Sequence, residues 1–252
     1  MSVKSLLVEL FVEELPPKAL KKLGASFAAT LADKLKASGL AGDGPVTAFA
    51  SPRRLAVHVA NVAVKAADKP VQQKLMPVAV ALDANGQATP ALLKKLSALG
   101  ADASVVPTLK RAPDGKAEAL FLDTLVAGAT LPEGLQAAIE AAIAALPIPK
   151  VMSYQLQDGW TSVNFVRPAH RLVALHGADV VPVSVLGLQA GRETQGHRFE
   201  AKQPIVAIRD ADSYAEQLKT EGAVIASFAE RRTEIESQLR RNADKEGLKP
   251  ID

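Results

Sequence analysis

The 252-residue chain has no cysteine, which excludes disulfides and thiolate metal sites and suits a reducing compartment. Aromatic residues make up only 4% of it, so a core must be built mainly from Ala, Val, Leu and Ile. No stretch approaches the roughly 20 consecutive apolar residues of a membrane-spanning helix. The N-terminal apolar run is short and is broken by Glu9, Glu13 and Glu14, too acidic for a signal peptide. These absences predict a soluble, cytoplasmic protein with no membrane partner. A strong excess of one charge is lacking too. The net charge is +3 and the pI about 9.0, so any contact with nucleic acid must come from local clusters.

Signatures of chemistry are equally scarce. There is no Gly-x-x-x-x-Gly-Lys-Ser/Thr phosphate loop, no Gly-x-Gly-x-x-Gly after a strand and no Gly-x-Ser-x-Gly elbow. The four histidines, His58, His170, His176 and His197, show no His-Glu-x-x-His spacing. His170 and His176 lie on one strand, where two ordinary strand histidines are expected in preference to a metal site. Glu13 and Glu14 are neighbours, and adjacent strand positions face opposite ways, which is poor geometry for an acid/base pair. The sequence predicts no catalytic residue, no metal and no cofactor.

What is present is globular. Hydrophobic residues reach 48%, against global disorder. Residues 3–12 read as a buried strand. Pro16-Pro17 opens a helix whose stripe is Leu20, Leu23, Phe27, Leu31 and Leu35, ending near Gly39. Lys18, Lys21, Lys22, Lys34 and Lys36 crowd its other face, three of them in the first turns, where the helix dipole disfavours them. Strands are expected at 46–50, 54–64, 75–82, 117–127, 160–166, 170–176, 179–186 and 204–209. Thr89-Pro90 starts a short helix stopped by Gly100, and Thr130 with Glu133 caps another stopped by Pro147. Ser213 with Glu216 and Ser227 with Glu230 announce helices at 213–221 and about 227–246. The pattern predicts an α+β fold: a mixed-sheet domain over 1–225, then a charged helix over 226–252 that reads as a truncated connector.

Four basic segments carry proline or glycine: Ser51-Pro52-Arg53-Arg54-Leu55, Leu146-Pro147-Ile148-Pro149-Lys150-Val151-Met152, Phe165-Val166-Arg167-Pro168-Ala169-His170-Arg171 and Gly196-His197-Arg198-Phe199. Cations on stiff loops suit phosphate recognition, because little loop entropy is lost on binding. The candidate RNA-binding residues are therefore Arg53, Arg54, Lys150, Arg167, Arg171, His197 and Arg198, with Phe199 able to stack on a base. The bland alternative is a set of buried arginines tied to carbonyls or to Glu13 and Glu14.

Together with Glu13-Glu14-Leu15-Pro16-Pro17-Lys18-Ala19-Leu20, these segments occur in an order and spacing that resembles the start of the bacterial glycyl-tRNA synthetase beta subunit. The resemblance covers essentially the whole chain. It departs after Met152, where the family usually has Arg-Trp and this chain has Ser153-Tyr154, and it is weak between 66 and 128, as in a variable surface region. It implies an N-terminal piece of an alpha2beta2 enzyme whose alpha subunit holds ATP and glycine while the beta subunit binds tRNA(Gly). It also implies a fold similar to the editing domain of the phenylalanyl-tRNA synthetase beta subunit. Three roles remain open: tRNA binding and assembly with the alpha subunit, a purely structural scaffold, and a vestigial hydrolytic editing-type domain.

Overall fold

The computed structural model describes residues 2–115, 117–148 and 150–250; Pro149 of the second basic segment and the terminal Ile251 and Asp252 lie outside the described residues. Contacts divide the chain into two units, Met1–Ala66 with Ala129–Asp252, and Ala67–Gly128. This division differs from the expected break at 225. The second unit is an insertion with its own apolar core, and the last helix groups with the first unit.

The first unit begins with β1 (Val3–Val12), α1 (Pro17–Ala37), β2 (Val46–Ser51) and β3 (Arg54–Ala63), as the sequence predicts within a residue or two. The second contains β4 (Lys69–Pro77), α2 (Val78–Ala81), α3 (Pro90–Ala98), a 3-10 turn (Ala103–Thr108), β5 (Lys110–Asp114) and β6 (Ala117–Val126). Its three strands run in the order β4-β6-β5 over Leu75, Ala81, Leu92, Leu96, Leu120 and Leu122. The strand expected at 75–82 lies earlier, because Pro77 cannot donate to the ladder and instead leads into the helical turn α2. Thr89 caps α3 as expected, its hydroxyl accepting from the Leu92 amide at 3.3 Å.

The chain returns to the first unit with α4 (Leu131–Ala144), where the Glu133 carboxylate accepts from the Thr130 amide at 3.0 Å. Next come β7 (Met152–Gln155), β8 (Ser162–Phe165), β9 (Ala169–His176), β10 (Asp179–Val180), β11 (Ser184–Val185), β12 (Leu188–Gly191), β13 (Glu193–Gln195), β14 (Ile205–Ala207), α5 (Tyr214–Thr220) and α6 (Phe228–Lys245). Pro182 splits the strand expected at 179–186 into β10 and β11. The expected cap at Ser213 is absent. Its hydroxyl donates to the Asp210 carbonyl at 3.1 Å and stays in the preceding turn. Ser227 does cap α6, accepting from the Glu230 amide at 3.3 Å.

The main sheet has the order β11-β12-β9-β1-β3-β2, with β10 also paired to β9; β12 joins β9 in parallel and the other pairs are antiparallel. Two-residue periodicity sorts its faces. Leu6, Val8, Leu10 and Val12 of β1 point toward the α1 and α4 side, with Leu55, Val57, Val59, Leu172 and Ala174. Leu7 points the other way, with Ala56, Val173 and Leu175, and is covered by Val206, Ile208, Tyr214 and Leu218. Glu9 and Phe11 share the parity of Leu7, and so does Arg54 with Ala56. This second face, at the β1–β3 end near Phe11 and Arg54, is where the candidate site forms.

Candidate nucleic-acid interface

A charge in the middle of a buried strand must be satisfied or the strand would not bury there. Glu9 is fully buried, and both its oxygens are taken: Thr194 Oγ1 donates to one and the Tyr214 hydroxyl to the other. Arg54 supplies the countercharge, its Nε 3.3 Å from the carboxylate. The Arg54 guanidinium also donates to Ser51 Oγ at 3.4 Å and to the Gln195 carbonyl. At 3% exposure Arg54 belongs to the interior. The expectation that it contacts RNA is corrected by this position: β-strand parity turns it inward, onto Glu9.

The Tyr214 hydroxyl is held well above the ordinary 10.0, first by burial and then by the neighbouring Glu9 carboxylate. Its folded-state value is therefore raised. The associated stability is complete below the unfolded-state value of about 10 and is lost as pH rises toward the folded one. A urea midpoint that falls above about pH 10 in the wild type, and falls less steeply in Tyr214→Phe, is the expected result. An identical alkaline loss in both proteins would assign it elsewhere.

The strand ends one turn further on, where Glu13 and Glu14 gather the motif segments. Arg53 donates to the Val12 carbonyl at 3.3 Å and to the Glu13 carboxylate at 3.2 Å, with its guanidinium 4.7 Å from the Phe11 ring centre. His170 Nε2 lies 2.8 Å from the same carboxylate oxygen. Arg167 donates to the Glu14 carbonyl at 3.1 Å and reaches Met152 Sδ at 3.2 Å. Arg171 is half-buried and pairs with Glu193 at 2.9 Å. The tyrosine that departs from the family pattern, Tyr154, uses its hydroxyl to accept from the Ala169 amide at 3.1 Å. Arg53 and Arg171 are thus partly neutralised fixtures of this corner. His176, expected as a plain strand histidine, is buried with Nε2 2.7 Å from the Val62 carbonyl.

Beside the corner opens a cleft of about 550 Å³ whose lining includes Phe11, Glu13, Arg53, His197, Arg198 and Arg231. The fourth basic segment forms one wall and α6 the other. Gly196 is required there: a Cβ would stand 2.8 Å from both the Cα and the carbonyl oxygen of Gly222. The His197 amide donates to the Gly222 carbonyl at 2.7 Å, and its Nδ1 accepts from the Phe199 and Glu200 amides at 3.3 and 3.2 Å. His197 therefore shapes the loop. Arg198 is exposed, Phe199 is 82% exposed, and among the described residues neither Arg198 nor Arg231 has a carboxylate partner. Lys150 is also exposed and makes no ion pair with a described residue. No group of three or more metal-binding side chains occurs among the described residues, and no helix is long and apolar enough to cross a membrane.

A family model described as the glycyl-tRNA synthetase beta subunit matches residues 6–252. The chain belongs to this family. All of it aligns, at 76% identity, with the beta subunit of glycine–tRNA ligase from Leptothrix cholodnii, and at 69% and 66% with those from Dechloromonas aromatica and Acidovorax ebreus. It covers 36%, 37% and 36% of those proteins, so it spans little more than a third of the length of the curated relatives it matches.

In this beta-subunit family member two parts of the site went unread in the sequence. The partners of Glu9 sit 185 and 205 positions away, at Thr194 and Tyr214. The available signal was Glu9 itself, a lone carboxylate inside a buried run. The second is Arg231, whose place on the cleft depends on where α6 returns to the sheet.

Proposed function

We propose that this chain is a tRNA-contacting, non-catalytic portion of a glycyl-tRNA synthetase beta subunit, supporting the attachment of glycine to tRNA(Gly). The observation that carries the reading is the cleft, where Arg198 and Arg231 make no ion pair with a described residue although Glu13, Glu14 and Glu234 also line it, beside an exposed Phe199. Guanidinium groups of this kind suit phosphates, and an aromatic face suits a base. The glycine and tRNA come from the names of the relatives, which are glycine–tRNA ligase beta subunits. The cytoplasmic alpha2beta2 assembly, the use of ATP by the alpha subunit and the likeness to an editing-domain fold belong to the same proposal and rest on the family resemblance. The scaffold reading holds for part of the motif set, because Arg54 is buried against Glu9 and Arg53 is tied to Glu13.

Binding of tRNA(Gly), followed by fluorescence anisotropy across a salt series, tests the reading. Arg198→Ala is expected to weaken binding several-fold and to reduce the slope of log affinity against log salt by about 0.7–1. Wild-type binding that ignores salt, or a folded Arg198→Ala variant with an unchanged slope, would move the contact away from this cleft.

A further inference from the structure

The single tryptophan of the chain lies outside the cleft. Trp160 is 90% exposed at the tip of the β7–β8 hairpin. An indole this exposed forgoes the favourable burial of a large apolar side chain, so the tip is notable for how firmly it is built. The two strands pair from Met152 with Phe165 to Gln155 with Ser162. The Leu156 amide donates to the Thr161 carbonyl at 2.8 Å, and the Gly159 amide to the Leu156 carbonyl at 3.0 Å. Asp158 Oδ1 accepts from the Trp160 and Thr161 amides, both at 2.9 Å, and Oδ2 accepts from Thr161 Oγ1 at 2.6 Å. The base of the hairpin is pinned by buried Phe165 and by Tyr154, and Leu156 sits against Gly187, where an added Cβ would meet it at 2.3 Å. The backbone that carries the indole is thus fixed before a partner arrives, and only the side chain's own rotamers are left to order.

The surroundings select the partner. Gln157, Asp158, Gly159, Thr161 and Ser162 are all exposed, and Leu156, the other apolar residue of the turn, is half-buried against Gly187. A protein hot spot needs a ring of contacts that keeps water out. A flat nucleobase needs only the indole face. Among the described residues at the root of the hairpin, Lys150 makes no ion pair and Arg167 is engaged by a carbonyl and a thioether but by no carboxylate. Strand geometry places these cations about 15–20 Å from the tip, a distance that a few nucleotides of single strand would span.

We infer that Trp160 is a preorganised stacking platform for an unpaired nucleotide of the bound tRNA, with Lys150 and Arg167 holding the phosphates that lead to it. The inference rests on the proposed tRNA-binding role and adds a second contact to it. Because Trp160 is the only tryptophan, its emission reports on this site alone. Titration of the wild-type chain with tRNA(Gly) is expected to quench that emission in parallel with the anisotropy change. A short single-stranded oligoadenylate should quench it and a blunt RNA duplex should not. Trp160→Ala is expected to weaken tRNA binding about 5- to 100-fold with the salt slope unchanged, whereas Trp160→Phe keeps most of the affinity. Salt-dependent, Arg198-sensitive tRNA binding with unchanged emission and an indifferent Trp160→Ala overturns the platform and leaves the cleft reading standing. No tRNA binding at all overturns both. Quenching by the duplex as readily as by the single strand, or by rising protein concentration without RNA, would replace stacking with non-specific approach or self-association.

Discussion

Arg54→Ala is expected to destabilise the fold by about 3–5 kcal/mol, the usual consequence of removing one member of a buried ion pair. Glu9 has no exposed surface, and Thr194 and Tyr214 already fill its oxygens, so no solvent can replace the lost guanidinium. The variant also strips buried Ser51 Oγ and the part-buried Gln195 carbonyl of the Arg54 donor. Urea denaturation should show the midpoint falling with little change in slope. Arg54→Met combined with Glu9→Leu, Thr194→Val and Tyr214→Phe should recover much of the loss, because it removes both charges together with the two hydroxyls that would otherwise lose their acceptor. A stable Arg54→Ala variant that instead lost tRNA binding would return Arg54 to the interface. A loss below about 1 kcal/mol would mean that the carboxylate is reached by water or protonated.

The contrast with Arg198 shows why the motif arginines were hard to assign from sequence. Arg53, Arg54, Arg167 and Arg198 share a chemistry and a proline- or glycine-marked setting. Their fates differ through strand parity and distant partners. Arg54 follows Ala56 onto a covered face. Arg198 falls on a loop that leaves the sheet altogether. No local pattern encodes that Tyr214 will arrive opposite Glu9, since the pairing depends on α5 packing across the sheet. Local signals were more reliable. The α1 stripe and the Thr89 and Ser227 caps were all legible, because each is decided within a few residues. The weakly similar stretch from 66 to 128 turns out to be a unit with a separate core, although no linker composition marks its edges. Of the β7–β8 hairpin the second strand lies within the run expected at 160–166, whereas β7 was missed: its four residues, Met-Ser-Tyr-Gln, are too few and too polar for periodicity or propensity to stand out.

Phe27→Ala tests the other face of the sheet and is expected to cost about 3–5 kcal/mol. Phe27 has no exposed surface and sits in the middle of the α1 stripe, with Leu23 and Leu31 on either side equally buried. The size of the loss depends on whether α1 can sink to close the void. It cannot come closer at its middle, because a Cβ on Gly24 would stand 2.6 Å from the Cβ of Ala50: the helix backbone already rests on β2 there. The cavity should therefore persist, placing the variant at the costly end of the range for large-to-small changes. Leu239→Ala on α6 is the control. Leu239 is 54% exposed and α6 contributes no buried residue, so its replacement should stay within about 0.5 kcal/mol. A Phe27→Ala loss below about 1.5 kcal/mol would show that α1 can shift after all, and the close approach at Gly24 would then not be a fixed contact. A loss near the expected value with tRNA affinity unchanged, measured where the variant remains folded, would separate the face that stabilises this unit from the face that carries the cleft.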